Sequence, residues 1–552
     1  MSTVKLADTL STKLARRPKS RPLPHRHIIT EGWALGLAAF VVYLLLSVYF
    51  VFDLHYYAGD AVSRVANAYY VLFSQNPHLG AIGFIWNPLP SLLELPVVAL
   101  HPWFPAVVTR GMAGGLVSAA LGGAAVYSFH RILEGFGVPN PWRMALTLFF
   151  AFNPFIALYG ANGMTDLMWV ACILGTYSGV FDYLQTGSLR RLVSGGFWLA
   201  AGLGMRYEAV PFGLFVIIAL VLGQWGRTSA AHWKGSALLL GGPIVFAGGV
   251  WMYFNWLIMK NPLYFLNSNY GNLAQTATGA YMTHASAMAE HSVIGSLFYV
   301  TYFGLLFWPI FLGFLVTLRY CFGQRRDARA IVLIAGTVGG VAMELALVYM
   351  GHLGQWDRYF ISYIPDGILM VAFSVTKLVG NSKAKNMKSR MLWLLASVIV
   401  LAGDVGTVMA VQNPVLGQPN GQIIDMAWRG ESMRNTGNNP FTNGLPLIRF
   451  VDAHPHMTIL ADTFIDWPVV VRAQHLNQFI ITSDYDFSSI LHNPRGRVTA
   501  ILVPKPYEVA ALDAVNRAWP GLWAGHVPWT RLIKSFPGGP DYRLYAVTSS
   551  AP

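Results

Sequence analysis

Four short phrases hold the residues of this chain that could do acid–base or phosphate chemistry. They are YYAGDAVSR around Asp60, GANGMTD around Asp166, GMRYEAVP around Arg206 and Glu208, and GQWDRYF around Asp357 and Arg358. A carboxylate can act as a general base, and an arginine guanidinium can bind a phosphate through two parallel hydrogen bonds. Because the four phrases lie far apart in the sequence, a shared site requires a fold that brings them together.

The composition indicates a chain that crosses a membrane many times. Of its 552 residues, 54% are hydrophobic and 11% are charged, whereas about 25% of residues in a soluble domain are charged. Apolar runs of about twenty residues, the length of a transmembrane helix, follow one another. The sequence predicts eleven spans, at about 32–51, 108–129, 144–160, 165–183, 191–205, 208–223, 235–257, 294–317, 329–350, 359–376 and 391–411.

The charges between the spans agree with this topology. When the N-terminus is placed inside, the inner loops are basic, as the positive-inside rule requires. They contain Arg131, Arg143, Arg190, Arg191, Arg227, Lys234, Arg319, Arg325, Arg326, Arg329, Lys383, Lys385, Lys388 and Arg390. Topology therefore explains the net charge of +13 better than nucleic-acid binding does, and we expect no nucleic-acid partner. All four phrases then lie on the opposite, extracytoplasmic face.

The chain divides into three predicted regions. Residues 1–30 are a basic arm, expected to be cytoplasmic and disordered, with no cleavable signal peptide, and residues 31–411 form the membrane domain. Because the number of spans is odd, residues 412–552 lie outside. There β-rich runs at 457–462, 478–484, 497–504 and 542–547 alternate with helical stretches, which predicts a soluble α/β domain. Its tryptophans Trp467, Trp519 and Trp523 either bind glycan or belong to the core.

The first outer loop is predicted to hold two helices at the membrane surface. In DAVSRVANAYYVLFSQ, the residues Val62, Val65 and Tyr69 share one apolar helical face, which is typical of an interfacial helix. Pro88 and Pro90 end it, since proline cannot continue a helix. LLELPVVALHPWF then predicts a second, short interfacial or re-entrant helix.

The two aspartates that open helices each have two interpretations. Asp60 could cap the first-loop helix, or it could be a general base at the membrane surface. His55, Tyr57 and Arg64 give it more polar and aromatic neighbours than a cap requires. Asp166 could simply be stabilised by the helix dipole at the start of its span. It could also be functional, because an ionisable group at this depth is costly.

The arginines are open to the same choice. Arg206 could pair with Glu208 or with a neighbouring helix. Arg358, next to Asp357, has the same two options, or either arginine could bind a phosphate. Tyr359, next to Arg358, adds an aromatic ring to this phrase.

Two further patterns are weak. The long outer loop 258–293 contains His284, Glu290 and His291, which are poor evidence for a metal, and SDYDF (483–487) contains a D-x-D triplet of the kind that holds a metal and a sugar nucleotide. Short triplets arise often by chance, and strand ends favour Asp.

Cys172 lies inside a span and Cys321 in a basic loop, so no disulfide is expected.

Taken together, these features resemble the GT-C superfamily of membrane glycosyltransferases. It includes protein O-mannosyltransferases, the aminoarabinose transferase of lipid A, and actinobacterial arabinofuranosyl- and mannosyltransferases. The resemblance covers about 30–411, where Asp60 follows the first span and Asp166 opens a later one, and it extends to the phrases NPFIALYGANGMTD and RYFISYIP. Oligosaccharyltransferase-type members use a metal and a D-x-D or E-x-D in the first loop. GDAVS lacks that motif, which indicates a member without a metal or cofactor.

The resemblance implies a polytopic α-helical membrane protein with a C-terminal extracytoplasmic α/β domain, in the plasma membrane of a prokaryote. A sugar on a polyprenyl phosphate would be the donor, and a hydroxyl of a glycan, lipid or protein would be the acceptor. The reaction would be an inverting displacement, and membrane lipids would be further partners. Asp60 would be the base and Asp166 would position the acceptor or the first loop, while Arg206 and Arg358 would bind the donor phosphate. The other candidate substrate-binding residues are His55, Tyr57, Arg64, Glu208, Asp357 and Tyr359.

Two other classes of function stay open. A transporter or flippase usually binds its substrate near the middle of the membrane, often between internal repeats. Here the acids and arginines collect at one surface and no repeat is visible in the sequence. An assembly protein that uses the C-terminal domain as a binding module is the other alternative.

Overall fold

The computed structural model describes residues 25–280, 283–380, 386–417, 420–435 and 439–548. Most of the predicted basic arm therefore lies outside the described residues. Within them, the chain is an integral membrane protein: a bundle of long apolar helices is followed by a small sheet near the C-terminus.

Seven described helices are long and apolar enough to cross a membrane. They are Glu31–Phe52, Met112–Gly135, Thr165–Thr186, Ala230–Met259, Ala328–Tyr349, Asp357–Val379 and Met387–Val411. Two bent pairs would raise the number to nine: Asn140–Phe152 with Pro154–Ala161, and Val293–Phe307 with Pro309–Leu318. The helices Leu189–Met205 and Ala209–Gln224 have 17 and 16 residues, so the predicted count of eleven spans is not confirmed.

The bends lie where a proline interrupts the helical hydrogen bonds. At Pro154 the two halves meet at 58°, and at Pro309 they meet at 111°. Asn153 satisfies the first break, because its Oδ1 accepts hydrogen bonds from the backbone N–H groups of Phe155 and Ile156. Its amide nitrogen donates to Asp404 at 2.7 Å, which ties the bend to the last span.

The loop after the first span is helical, as the sequence predicts. Gly59–Phe73, called the first-loop helix below, is followed by a 3₁₀ turn at Leu79–Ile82 and the helices Leu89–Val98 and Ala106–Thr109. The predicted apolar face of the first-loop helix is buried. The position of these helices at the membrane surface stays a prediction.

A five-stranded sheet forms the C-terminal part. Its strands are β1 (Ile459–Ala461), β2 (Phe479–Ile481), β3 (Ala500–Pro504), β4 (Thr530–Phe536) and β5 (Tyr542–Val547). The order is β2-β1-β3-β5-β4, with β2, β1 and β3 parallel and β5 antiparallel to both neighbours. The helices Thr463–Val470, Phe487–His492 and Ala514–Ala518 cover it. The sequence prediction missed β4, an edge strand in which only Phe536 is buried.

The C-terminal sheet shares one core with the first loop. Val65 and Ala68 of the first-loop helix and Val98 and Val108 of the following helices pack with residues of the sheet domain. The residues of that domain include Leu447 and Val469 from its helices and Ile459, Leu502 and Leu544 from its strands. The opposite face of the sheet forms a second core, against which Trp519 and Trp523 pack. That packing favours the core interpretation of these two tryptophans.

Asp466 provides a test of this packing. Its carboxyl group is fully buried in the helix Thr463–Val470. Burial, and then the carboxylates of Asp513 and Asp462, raise the pKa of Asp466 well above its ordinary 3.8. The unfolded chain releases this proton at a lower pH than the folded chain, so stability falls as the pH rises above the ordinary value.

We therefore expect Asp466→Asn to raise the melting temperature of the detergent-solubilised protein at pH 7.5. The gain arises because the folded aspartate retains a proton that the unfolded chain releases at pH 7.5, and it disappears near pH 4. Asp425→Asn, at an exposed position, is the control and should show no such pH-dependent gain. An equal effect of Asp466→Asn at both pH values would contradict this account.

Candidate active site

A cavity of about 470 Å³ opens where three of the four phrases meet, those around Asp60, Asp166 and Arg358. Its walls come from the turn before the first-loop helix, the start of the span at Thr165, the outer loop, the segment before Arg358, and the chain that follows the last span. The lining residues are His55, Tyr56, Tyr57, Ala58, Gly59, Asp60, Trp86, Tyr159, Asn162, Met164, Asn272, Gln275, Thr276, Gly354, Trp356, Arg358, Tyr359, Asn420, Gln422, Ile423, Met426, Met433 and Asn439.

Asp60 and Arg358 form an ion pair inside this cavity, although 298 residues separate them. The distance from Nη2 of Arg358 to Oδ2 of Asp60 is 2.8 Å, and their side chains are 14% and 57% exposed. Asp60 does not cap the first-loop helix: the N-cap is Ala58, and Asp60 lies in the first turn. Its position in the cavity opposes ionisation, but the guanidinium groups of Arg358 and Arg64 outweigh this and lower the pKa of Asp60.

Arg358 is oriented by aromatic rings rather than by its neighbour Asp357. Its guanidinium carbon lies 5.0 Å from the ring centre of Trp356 and 5.6 Å from that of Tyr359. Asp357 is buried, and its Oδ1 accepts a hydrogen bond of 2.6 Å from the amide of Asn420. Of the pairings predicted for Arg358, the structure therefore has one with a neighbouring helix, through Asp60, and not one with Asp357.

Arg206 lies in a separate, buried network. Its Nη1 donates to Asp166 at 2.6 Å, and its Nε donates to Glu208 at 2.7 Å. Asp166 is fully buried and Arg206 is 12% exposed, and none of the three lines the cavity. Burial opposes the charge of Arg206, but Glu208 and then Asp166 outweigh it and raise the pKa of Arg206.

Tyr359 connects the two arginines. Its ring centre lies 5.0 Å from the guanidinium carbon of Arg206 and 5.6 Å from that of Arg358. Since Tyr359 also lines the cavity, the buried network borders the site through this ring. The cation–π contacts hold the ring and Arg358 in a fixed relation.

The remaining predicted residues lie in the cavity wall or next to Asp60. His55 and Tyr57 line it. The Nε2 atom of His55 is 2.8 Å from Arg434, and the Tyr57 hydroxyl donates to the carbonyl oxygen of Val51 at 3.4 Å. Arg64 lies behind the cavity, where its Nη1 donates to the backbone carbonyl of Asp60 at 3.2 Å.

Comparisons with known proteins now identify the architecture. ArnT from Cupriavidus metallidurans, solved in the apo state, superposes with a TM-score of 0.55 at 12% sequence identity, over 95% of this chain and 99% of that chain. This chain therefore shares the fold of that solved structure. The archaeal oligosaccharyltransferase AglB from Archaeoglobus fulgidus, in complex with an inhibitory peptide and a dolichol-phosphate, aligns with a TM-score of 0.44 at 11% identity over 93% of this chain and 74% of that chain. No family model and no curated protein matches the sequence.

The structure adds residues to the site that sequence reasoning missed. Asn420, just beyond the last span, binds Asp357 and also donates to the hydroxyl of Tyr159 at 2.9 Å. No local pattern marks it, because the contact depends on how the chain returns over the cavity. Glu94 is fully buried in the helix Leu89–Val98, and burial raises its pKa despite the charge of Arg64. Its position as a single acid in an apolar run is a signal that the sequence did offer.

The structure shows the surroundings of the two weak metal patterns, the histidines of loop 258–293 and the triplet in SDYDF. Across the described part of the chain, no group of three or more His, Cys, Asp or Glu side chains is arranged to hold a metal. Glu290 and His291 contact each other at 3.5 Å, and the side chain of His284 lies outside the described residues. In SDYDF, Asp484 accepts a hydrogen bond of 2.8 Å from the backbone N–H of Ile481 at the end of β2, which is a structural role.

The different surroundings of the two arginines predict different costs of removal. Arg206→Gln would leave Asp166 and Glu208 as buried carboxylates without their cation, and such a break typically costs about 3–5 kcal/mol. Arg358→Gln leaves Asp60 with a side chain that is more than half exposed, and an exposed ion pair contributes about 0–1 kcal/mol. We expect a large fall in melting temperature, or loss of the monodisperse protein, only for Arg206→Gln. Wild-type stability of that variant would show that the network is not structural.

Proposed function

We propose that this protein transfers a sugar from a polyprenyl-phosphate donor to an acceptor hydroxyl on the extracytoplasmic face of a prokaryotic plasma membrane. The acceptor is a glycan, a lipid or a protein, and the displacement is inverting and independent of a metal. The observation that supports this most directly is the Asp60–Arg358 pair, a carboxylate and a guanidinium in one cavity of a GT-C fold. A transporter site is expected near the middle of the membrane, whereas Asp60 lies shortly after the end of the first span.

Arg358 would bind the donor phosphate and stabilise it as the leaving group. Asp60 would take the proton from the acceptor hydroxyl while that oxygen attacks the anomeric carbon. The bond between the anomeric carbon and the phosphate oxygen breaks, and its electrons leave with the lipid phosphate. A single displacement of this kind inverts the anomeric configuration.

The ion pair gives the two steps an order. In the free protein, Arg358 holds the pKa of Asp60 below its ordinary value, so the carboxylate is a weak base. A donor phosphate that engages Arg358 draws the guanidinium away from Asp60 and offsets part of its charge. The proton affinity of Asp60 then rises when an acceptor hydroxyl needs a base.

The buried residues would hold these groups in place. Asp166 and Glu208 fix Arg206, and Arg206 orients Tyr359 beside Arg358. Asp166 thus acts as a positioning residue, since it does not reach the cavity. Apolar lining residues such as Met164, Ile423 and Met426 would accept the first part of the prenyl chain, and the C-terminal domain would lie on the extracytoplasmic side.

The carboxylate of Asp60 can be tested by an isosteric change. Asp60→Asn should lower turnover about 10²–10⁴-fold, the contribution of a general base, while binding of a short-chain polyprenyl phosphate is retained. The matched control is Asp53→Asn, which removes an exposed carboxylate outside the cavity lining and should leave turnover unchanged. Turnover is measured with a panel of lipid-linked sugars and acceptors, and mass spectrometry detects the acceptor that has gained a sugar. Normal turnover in Asp60→Asn would exclude Asp60 as the base.

The phosphate ligand is tested by binding alone. Arg358→Gln should weaken binding of the short-chain polyprenyl phosphate about 10–100-fold, because a charge-assisted hydrogen bond contributes about 1.5–3 kcal/mol. Calorimetry with the detergent-solubilised protein measures this. Unchanged binding in Arg358→Gln would place the phosphate elsewhere in the protein.

A further inference from the structure

Three arginines from distant parts of the chain surround the turn that follows the first span. Arg110 precedes the second span, Arg434 follows the helix Asn420–Arg429, and Arg472 follows the helix Thr463–Val470. We call these three residues the basic rim. None of them lines the reaction cavity.

Contacts with residues 52–57 bring the basic rim together. The guanidinium carbon of Arg110 lies 4.8 Å from the ring centre of Phe52, and Nη2 of Arg434 lies 2.8 Å from Nε2 of His55. Burial lowers the pKa of Arg472; Tyr57 opposes this effect, and the charges of Arg110 and Arg434 add to it. All three cations therefore lie around one short turn.

This arrangement concentrates positive charge. Within the described part of the chain, neither Arg110 nor Arg434 forms a salt bridge. Asp53 is the one carboxylate of the turn itself, and it too forms no salt bridge there. Like charges that converge in this way repel one another, and a bound anion would relieve that repulsion.

The depth of the basic rim indicates where that ligand comes from. Phe52 is the last residue of the first span, and Arg110 lies two residues before the span Met112–Gly135. Both therefore lie at the boundary between membrane and water, where lipid headgroups are found. A guanidinium matches a phosphate through paired hydrogen bonds.

We propose that the basic rim binds the phosphate of a lipid headgroup, at a second site that is separate from Arg358. His55 and Tyr57 contact or face the rim and also line the cavity, so the bound headgroup lies beside the cavity mouth. The site does not depend on the proposed transfer reaction, because none of its three arginines takes part in that mechanism.

Lipid binding to the purified full chain tests this proposal. Native mass spectrometry of the delipidated protein would measure dissociation constants for phosphatidylglycerol and for phosphatidylcholine, which is neutral overall. We expect phosphatidylglycerol to bind at least about tenfold more tightly, and Arg434→Gln and Arg110→Gln to remove this preference. Arg358→Gln and Arg531→Gln, the latter on the exposed edge strand β4, should keep it.

Three outcomes would overturn the proposal. One is equal affinity for the two lipids. Another is a preference for phosphatidylglycerol that survives Arg434→Gln and Arg110→Gln, since the anion would then bind elsewhere. The third is binding of inorganic pyrophosphate that depends on Arg434 without any preference between the lipids, because the ligand would then be a soluble anion. Arg434 is exposed, so its replacement should leave the fold intact, as an unchanged melting temperature would confirm.

Discussion

The buried position of Arg206 between Asp166 and Glu208 is the constraint on which the rest of the site depends. A guanidinium in this environment is stable only with close carboxylates, because desolvation of an isolated charge costs several kcal/mol. Both carboxylates are supplied by residues at helix starts, Asp166 in the first turn of one helix and Glu208 directly before another. The network therefore fixes how these two helices begin relative to each other. Through Tyr359 it also fixes the segment that carries Arg358.

The other half of the site is positioned by the C-terminal sheet domain. Asp60 is carried by the first-loop helix, whose apolar face packs into a core shared with the C-terminal sheet. The outer loop joins the same assembly: the Tyr270 hydroxyl donates to Asp462 at 2.9 Å, directly after β1, while Asn272 and Gln275 line the cavity. The membrane helices thus position the guanidinium and the sheet domain positions the carboxylate. The two meet in a pair of 2.8 Å.

The sequence predicted the parts of this arrangement that depend on local pattern. Asp60 and Arg358 stand out because each is charged beside a long apolar run, and the strands β1, β2, β3 and β5 stand out as short apolar runs. The bends at Pro154 and Pro309 escaped prediction because the apolar composition continues through them. Arg206 was predicted either to bind a phosphate or to pair with Glu208, and in the structure the pairing is present. The partners of Asp60 and Asp357 lie 298 and 63 residues away, so no spacing rule could have named them.

Two aspartates flank Arg358, and their surroundings separate their roles. Asp357 is buried and held by Asn420, whereas Asp60 is more than half exposed to the cavity. Only Asp60 can therefore exchange its partner without loss of a buried contact. In the free protein its charge and that of Arg358 cancel, so a neutral ligand gains little by separating them. An anionic headgroup can replace the carboxylate on Arg358 at small net electrostatic cost, and the same exchange releases Asp60. If the proposed reaction is correct, selection of a phosphate-bearing donor and activation of the base follow from one ion pair.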